Sequence, residues 1–309
     1  MRLLARAALS YRNFQIHRKI LSDGLESKTE AFEGLDFHYY CIESGKPPLI
    51  LLHGFLDSAK TFRRLFPDLL NHFDLYAIDL PGFGNTTMPD QRELWRIDGI
   101  ARATGRFLLH LLAQRTPELS GKAQLLTHSL GGLVAMHFSK YFEAQRIVNP
   151  FERIHCIAPG SLRFPQAERD AHRRRFYPKS VEEIRLLLAE LFHETRTDLP
   201  DFLLKGLLET WSRKGYEYLA LNTIEEEDFV FFPRDKRLKL APRTYLYWGQ
   251  QDKIVTLAYG KTLQSTLRCP LVTIPDSGHC PQMENAPALV ASFLANALPG
   301  PARKRSPKD

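Results

Sequence analysis

Seven short apolar runs recur along the 309-residue chain, and stretches with helical spacing lie between them. Leu35 to Ile42 follows the Gly34 turn, Leu49 to Leu52 stops at His53-Gly54, and Asp74 to Ile78 runs into Asp79-Leu80-Pro81-Gly82. Ala123 to Thr127 leads to Ser129, Ile154 to Ala158 to Pro159-Gly160, Thr244 to Trp248 to Gly249, and Leu271 to Ile274 to Pro275. Short continuous apolar runs read as strands buried on both faces, and such strands belong to parallel sheets. Arg96 to Arg115, Leu130 to Phe142 and Ala286 to Leu298 read as helices; in the last, Leu289, Phe293 and Ala297 are four apart. Strand and helix in repeated order predict an α/β fold, a parallel sheet covered by helices on both faces.

The rhythm breaks between residues 161 and 240. There Ser180-Val181-Glu182-Glu183 has the capping-box pattern, and Ile184, Leu187, Leu188, Leu191 and Phe192 follow it as an apolar stripe. Phe202, Leu203, Leu207, Leu208 and Trp211 suggest a second helix. The segment reads as a helical insertion laid over one end of the sheet. The domain reading is a basic N-terminal segment over 1–25, a core over 26–160 and 241–298, a helical cap over 161–240 and a basic tail over 299–309.

Composition excludes several classes. Apolar residues at 44% and charged residues at 25% match a globular chain and exclude disorder, collagen and coiled coil as the main architecture. No apolar stretch approaches the ~18 residues of a spanning helix. The net charge of +7 sits in the ends: residues 1–20 hold five bases and no acid, and residues 301–309 hold four bases against Asp309. The body is balanced, so a nucleic-acid groove is not expected. Cys41, Cys156, Cys269 and Cys280 lack paired spacing and fit a reduced interior. No metal-ligand spacing, phosphate loop or dinucleotide fingerprint is present, so no metal or cofactor is expected.

Chemistry concentrates at strand ends. In Thr127-His128-Ser129-Leu130-Gly131-Gly132 a serine lies between strand and helix with small residues two positions to either side. Such a serine can occupy a sharp turn that lifts its hydroxyl clear of the sheet. Taken alone, it reads equally as a helix N-cap. A serine nucleophile needs a base, and the base an orienting acid. Asp252 follows Trp248-Gly249, and His279 lies in the loop after the next strand. The order Ser, Asp, His at carboxyl strand ends suits an open parallel sheet. Upstream, His53-Gly54-Phe55 ends an early strand, where a free N–H could complete an oxyanion hole.

Here the sequence resembles the α/β-hydrolase superfamily over roughly residues 26–298. Five landmarks agree in order: His53-Gly54-Phe55, Asp79 to Gly84, His128 to Gly132, Gly249 to Asp252, and Gly278-His279 to Glu284. The resemblance implies a mostly parallel eight-stranded sheet with a helical cap insertion. It implies Ser129 as nucleophile, Asp252 as acid, His279 as base, and oxyanion donors at the backbone N–H of Phe55 and Leu130. Thr127 stands where the family usually has Gly. Ser129 separates the chain from related haloalkane dehalogenases and epoxide hydrolases, which use an aspartate there. His53 and His128 are rival bases and Asp276 a rival acid. Asp79 reads as turn chemistry, and Glu284 as support for the last helix near its N-terminus. Phe176, Tyr177, Trp211, Tyr216, Tyr218, Phe229, Phe231 and Phe232 read mostly as the cap's own core.

The functional expectation is hydrolysis of a carboxylic ester or thioester of an apolar acyl group through an acyl-enzyme. The alternatives are a carbon–carbon-bond hydrolase or aminopeptidase on the same triad, and a non-catalytic ligand-binding protein of this fold. The expected location is cytoplasmic. Residues 1–20, with Leu3, Leu4, Tyr11 and Phe14 among the bases, could also meet an anionic membrane, or in a eukaryote serve as a mitochondrial presequence. The plain alternative is a first helix packed against the body.

Overall fold

The computed structural model describes residues 2–88, 90, 92–115, 122–160, 172, 175–194, 199–212, 214–225 and 243–298. The basic tail over 299–309, the stretches 161–171 and 226–242 of the insertion, and with them Phe229, Phe231 and Phe232, lie outside the described residues.

Eight strands form one sheet: β1 (Glu26–Phe32), β2 (Leu35–Ile42), β3 (Pro48–Leu52), β4 (Asp74–Ile78), β5 (Ala123–His128), β6 (Phe151–Ile157), β7 (Arg243–Gly249) and β8 (Leu271–Ile274). Their order is β1-β2-β4-β3-β5-β6-β7-β8. The β1–β2 and β2–β4 pairs are antiparallel, and every pair from β4 to β8 is parallel. The seven apolar runs are seven of these strands. The eighth, β1, has no such run. It is an edge strand bearing Glu26, Lys28 and Glu30, charges that guard an edge against further pairing.

Alternation along the strands feeds two cores. In β2, Phe37, Tyr39 and Cys41 join one core and Tyr40 the other; in β3, Ile50 and Leu52 oppose Leu49 and Leu51. The first core is covered by α3 (Ile97–Arg115) and α4 (Leu130–Ala144). Phe107 of α3 stacks on Phe37 with centroids 4.1 Å apart. Burying a side chain of this size contributes about 1.5–3 kcal/mol. The second core is covered by α1 (Arg2–Ser22), the 3₁₀ turn Ala59–Arg64, the short α2 (Phe66–Leu69) and, after α9 (Pro281–Glu284), by α10 (Ala286–Ala297). Helix α8 (Leu257–Leu267) joins β7 to β8.

Between β6 and β7 the described residues form α5 (Val181–Leu191), α6 (Asp201–Trp211) and α7 (Lys214–Glu225). Ser180 caps α5: its Oγ accepts from the Glu183 N–H at 3.1 Å, while the Glu183 carboxylate accepts from the Lys179 N–H at 2.6 Å. The insertion is pinned to the sheet domain. Tyr216 stacks on Phe83 at 5.0 Å and donates to the Gly82 carbonyl at 2.9 Å, and Arg92 lies over the Tyr218 ring. These two tyrosines therefore pack on the 80–95 segment, not in a core of the insertion alone, because short helices bury their aromatics against whatever they cover.

Helix α1 packs across α6, with Arg6 Nε 3.1 Å from Glu209 Oε2, and buries Ile20 completely. Tyr11 and Phe14 remain 64% and 53% exposed. None of the described helices is long and apolar enough to cross a membrane.

Candidate active site

Strand β5 ends at His128 and α4 starts at Leu130, so a single residue, Ser129, makes the turn. Its φ of 49° and ψ of −115° are strained for a side-chain-bearing residue, a cost of about 1–3 kcal/mol. Neighbouring bonds hold it: the Ser129 N–H donates to the Ile157 carbonyl at 2.9 Å, and its own carbonyl accepts from Gly132 and Gly160. The side chain makes no N-cap bond. Gly132 is required by close approach, since a Cβ there would lie 2.5 Å from Pro159 Cβ. That same missing Cβ leaves room for Thr127, whose hydroxyl bonds the His155 carbonyl at 3.3 Å.

Two further strand ends bring their loops to this turn. His279 follows β8, and its Nε2 lies 2.9 Å from Ser129 Oγ. Asp252 follows β7, and its Oδ2 accepts from His279 Nδ1 at 2.8 Å. The other Asp252 oxygen accepts from the Ile254 and Val255 N–H groups at 2.8 and 2.9 Å, which fixes the carboxylate's rotamer. The loops nearly touch, and Gly249 permits it: a Cβ there would sit 1.8 Å from the Gly278 carbonyl oxygen. Asp252 and His279 are buried, and Ser129 keeps 8% exposure at the cavity floor.

The rival residues are otherwise engaged. His53 accepts from the Leu80 N–H at Nε2 and so donates from Nδ1 to the Gly54 carbonyl. His128 donates from Nε2 to the His279 carbonyl at 2.9 Å. Burial first, and then the neighbouring His279, hold the His128 pKa well below the usual imidazole value, so it stays neutral. Asp276 is exposed, with φ 50°, and the His279 Nδ1 it would need is held by Asp252. Asp79 links β2 to its own turn, bonding His38 Nδ1 and the Ala59 and Asn85 N–H groups. The Cys280 thiol beside His279 is pushed well above its usual pKa, chiefly by burial, which leaves it a poor nucleophile.

Glu284 departs from its expected place. It ends α9 and does not serve the N-terminus of α10, where Asn285 is the cap. Its carboxylate accepts from the Gly278 N–H at 2.8 Å and the His193 N–H at 2.5 Å. The His279 N–H in turn donates to the Leu191 carbonyl at 2.8 Å. The end of α5 is thus tied to the histidine loop. Burial raises the Glu284 pKa in spite of these bonds. Nothing in the sequence signals this tie, because its partners are 91 residues apart and two of them are backbone atoms.

Ser129 and His279 open into a cavity of about 750 Å³, lined by Phe55, Phe176, Leu187, Leu191, Trp211 and other apolar side chains, with Arg12, Arg63 and Arg64 also on its wall. Phe55, Ser129 and Leu130 meet at a small adjoining recess. Phe176 and Trp211 therefore face the cavity. Chemically, the arrangement offers a hydroxyl beside an imidazole acceptor whose tautomer is fixed by a buried carboxylate.

The chain is similar to known proteins in sequence and in fold. The description of the alpha/beta hydrolase family matches residues 49–293. The uncharacterized hydrolase YugF of Bacillus subtilis (strain 168) is 24% identical over 86% of this chain and 95% of its own. Human monoacylglycerol lipase ABHD6 is 23% identical over 81% of this chain and 76% of its own. The solved 2-hydroxy-6-oxo-6-phenylhexa-2,4-dienoate hydrolase (BphD) from Rhodococcus sp. strain RHA1 superposes with a TM-score of 0.72, at 20% identity over 88% of this chain and 98% of that one. Fold, strand order and sequence match agree, and the chain belongs to the alpha/beta hydrolase family.

Proposed function

We propose that the chain is a serine hydrolase of carboxylic esters or thioesters with an apolar acyl group. The observation that carries this reading is the hydrogen-bonded series Ser129 Oγ, His279 Nε2, His279 Nδ1, Asp252 Oδ2 at the floor of an apolar cavity. Ser129 Oγ attacks the carbonyl carbon as His279 Nε2 takes its proton. Asp252 holds the imidazole with Nδ1 protonated and stabilises the imidazolium. The Phe55 and Leu130 N–H groups receive the oxyanion. His279 then returns the proton to the leaving alcohol or thiol. Water, giving its proton to the same nitrogen, attacks the acyl-Ser129 ester, and as the acid leaves His279 returns that proton to Ser129 Oγ. Helices α5 to α7 act as the cap that shapes the acyl pocket.

The test is turnover of p-nitrophenyl esters of rising chain length. Ser129→Ala should fold normally and lose about 10⁴-fold or more in kcat. A variant with near-full activity would remove Ser129 as nucleophile. A second reading, carbon–carbon-bond hydrolysis, is favoured by the superposition on BphD; a vinylogous diketone acid run beside the esters separates the two.

For location, we propose a cytoplasmic protein in peripheral contact with anionic membrane through α1. Its exposed Tyr11 and Phe14, beside Arg18, support this.

A further inference from the structure

The cavity wall is not uniformly apolar. Arg63 and Arg64 end the 3₁₀ turn Ala59–Arg64, and Arg12 comes from α1; all three line the cavity that holds Ser129 and His279. Arg63 Nη1 donates to the Lys60 carbonyl at 3.2 Å and Arg64 Nη1 to the Met283 carbonyl at 2.6 Å. Among the described residues, none of the three forms an ion pair with a carboxylate. Arg175, which also lines the cavity, shows the contrast: Glu190 grips it through both carboxylate oxygens.

The guanidinium groups act on one another more strongly than the nearest carboxylate acts on them. Burial, then Arg64, then Arg12 hold the Arg63 pKa below its usual value, and Asp57 opposes them most weakly. Four carboxylates also line the cavity, Asp57, Glu194, Asp276 and Glu284; Glu284 is bound by two N–H groups and Asp57 by the Ser58 N–H, and among the described residues none of the four is ion-paired to Arg12, Arg63 or Arg64. Three gathered guanidinium groups repel one another, and free donors of this kind match the oxygens of a phosphate or carboxylate. The same cavity is lined by Phe176, Leu187, Leu188, Leu191 and Trp211. One molecule that satisfies both kinds of lining is an amphiphile with an alkyl chain and an anionic end.

We propose that Arg12, Arg63 and Arg64 form a subsite for an anionic oxyacid group, phosphate or carboxylate, carried on the acyl substrate itself. The substrate class is then an acyl ester with an acidic headgroup. The assignment of a substrate rests on the ester-hydrolase reading; the anion subsite does not, and the test keeps them apart.

The first measurement is binding without turnover. Decyl phosphate and decanol are titrated by calorimetry into the wild-type protein and into Arg12→Gln/Arg64→Gln. Both arginines are exposed, so the change spares packing, and Arg12→Gln alone is a milder second variant. Decyl phosphate should bind at least about tenfold tighter than decanol, and the difference should shrink to about twofold in the double variant. Equal binding of the two by the wild type would overturn the subsite. Inorganic phosphate is the third arm. Displacement of decyl phosphate by an equal concentration of it would mark a free-anion site and overturn the link to the substrate.

The second measurement is the ratio of kcat/KM for 1-decanoylglycerol 3-phosphate over 1-decanoylglycerol. It should exceed about ten in the wild type and fall towards one in the double variant. A ratio near one in both proteins overturns the substrate class and leaves ester hydrolysis standing. No turnover of either ester, with the binding preference intact, overturns the hydrolase reading and leaves the subsite standing.

Discussion

Replacing Asp252 by Asn keeps the size of the side chain and removes one property, the ability to accept at both oxygens. In the structure Oδ1 accepts from the Ile254 and Val255 N–H groups, and Oδ2 from His279 Nδ1. The amide has one acceptor to serve both sides. Turned so that its NH₂ meets the two backbone N–H groups, it would leave both donors unsatisfied, at about 1–3 kcal/mol each. The amide oxygen therefore stays with Ile254 and Val255, and the NH₂ faces His279 Nδ1. That nitrogen must then be the acceptor, so the proton moves to Nε2 and points at Ser129 Oγ. A base in the wrong tautomer cannot take the serine proton. The expected loss in kcat is about 10⁴-fold, on the order of 5 kcal/mol of barrier. The assay is p-nitrophenyl ester turnover, with circular dichroism to confirm the fold. Asp276→Asn is the control: the site is exposed, and Asn tolerates its φ of 50°, so turnover should stay within about threefold. Near-full activity in Asp252→Asn, or the reverse ranking of the two variants, would refute this reasoning.

Gly132→Ala places a Cβ 2.5 Å from Pro159 and crowds Thr127, so it should lower stability by about 1–3 kcal/mol and cut turnover; an unchanged urea midpoint would contradict the packing at the turn. His155 is buried between Tyr247 and Gln124, and burial, with Arg153, pushes its pKa down to about 3. Below its ordinary 6.5 the unfolded chain binds a proton that the folded one refuses, so stability falls as pH falls, by roughly 3 kcal/mol between pH 6.5 and 4. Urea unfolding at the two pH values should show this loss in the wild type and less of it in His155→Gln. On α1, Tyr11→Ser/Phe14→Ser should weaken salt-sensitive sedimentation with anionic vesicles; equal sedimentation of both forms would remove the membrane contact.

The strands were legible where burial demands apolar residues throughout. β3, β4 and β5 are buried at every position, and their runs stand out in the sequence with nearly the observed bounds. β1 was not legible, because an edge strand needs no continuous core face and ESKTEAF reads as a polar linker. β6 begins earlier than its apolar run, at Phe151: Glu152 sits where the register with β5 shifts, and the buried Arg153 is satisfied by the Ala297 carbonyl at 2.6 Å, so neither charge ends the strand. Helix α8 leaves little trace in the sequence: Leu257–Leu267 buries only Gly260 and Leu263 fully, so its stripe is thin. At the site, Ser129, Asp252 and His279 could be named because each follows a strand and a turn glycine is nearby. The role of Glu284 and the meeting of Arg12 with Arg63 and Arg64 could not, because they depend on how distant segments dock.

The central claim is that Ser129 is the residue that becomes acylated. Its most direct measurement is labelling with a fluorophosphonate, followed by peptide mass mapping of the wild type and of Ser129→Ala. One label per chain is expected on the peptide that contains Ser129, none on the variant, and loss of ester turnover in step with labelling. A label on another residue, or full turnover by a protein that takes no label, would contradict it.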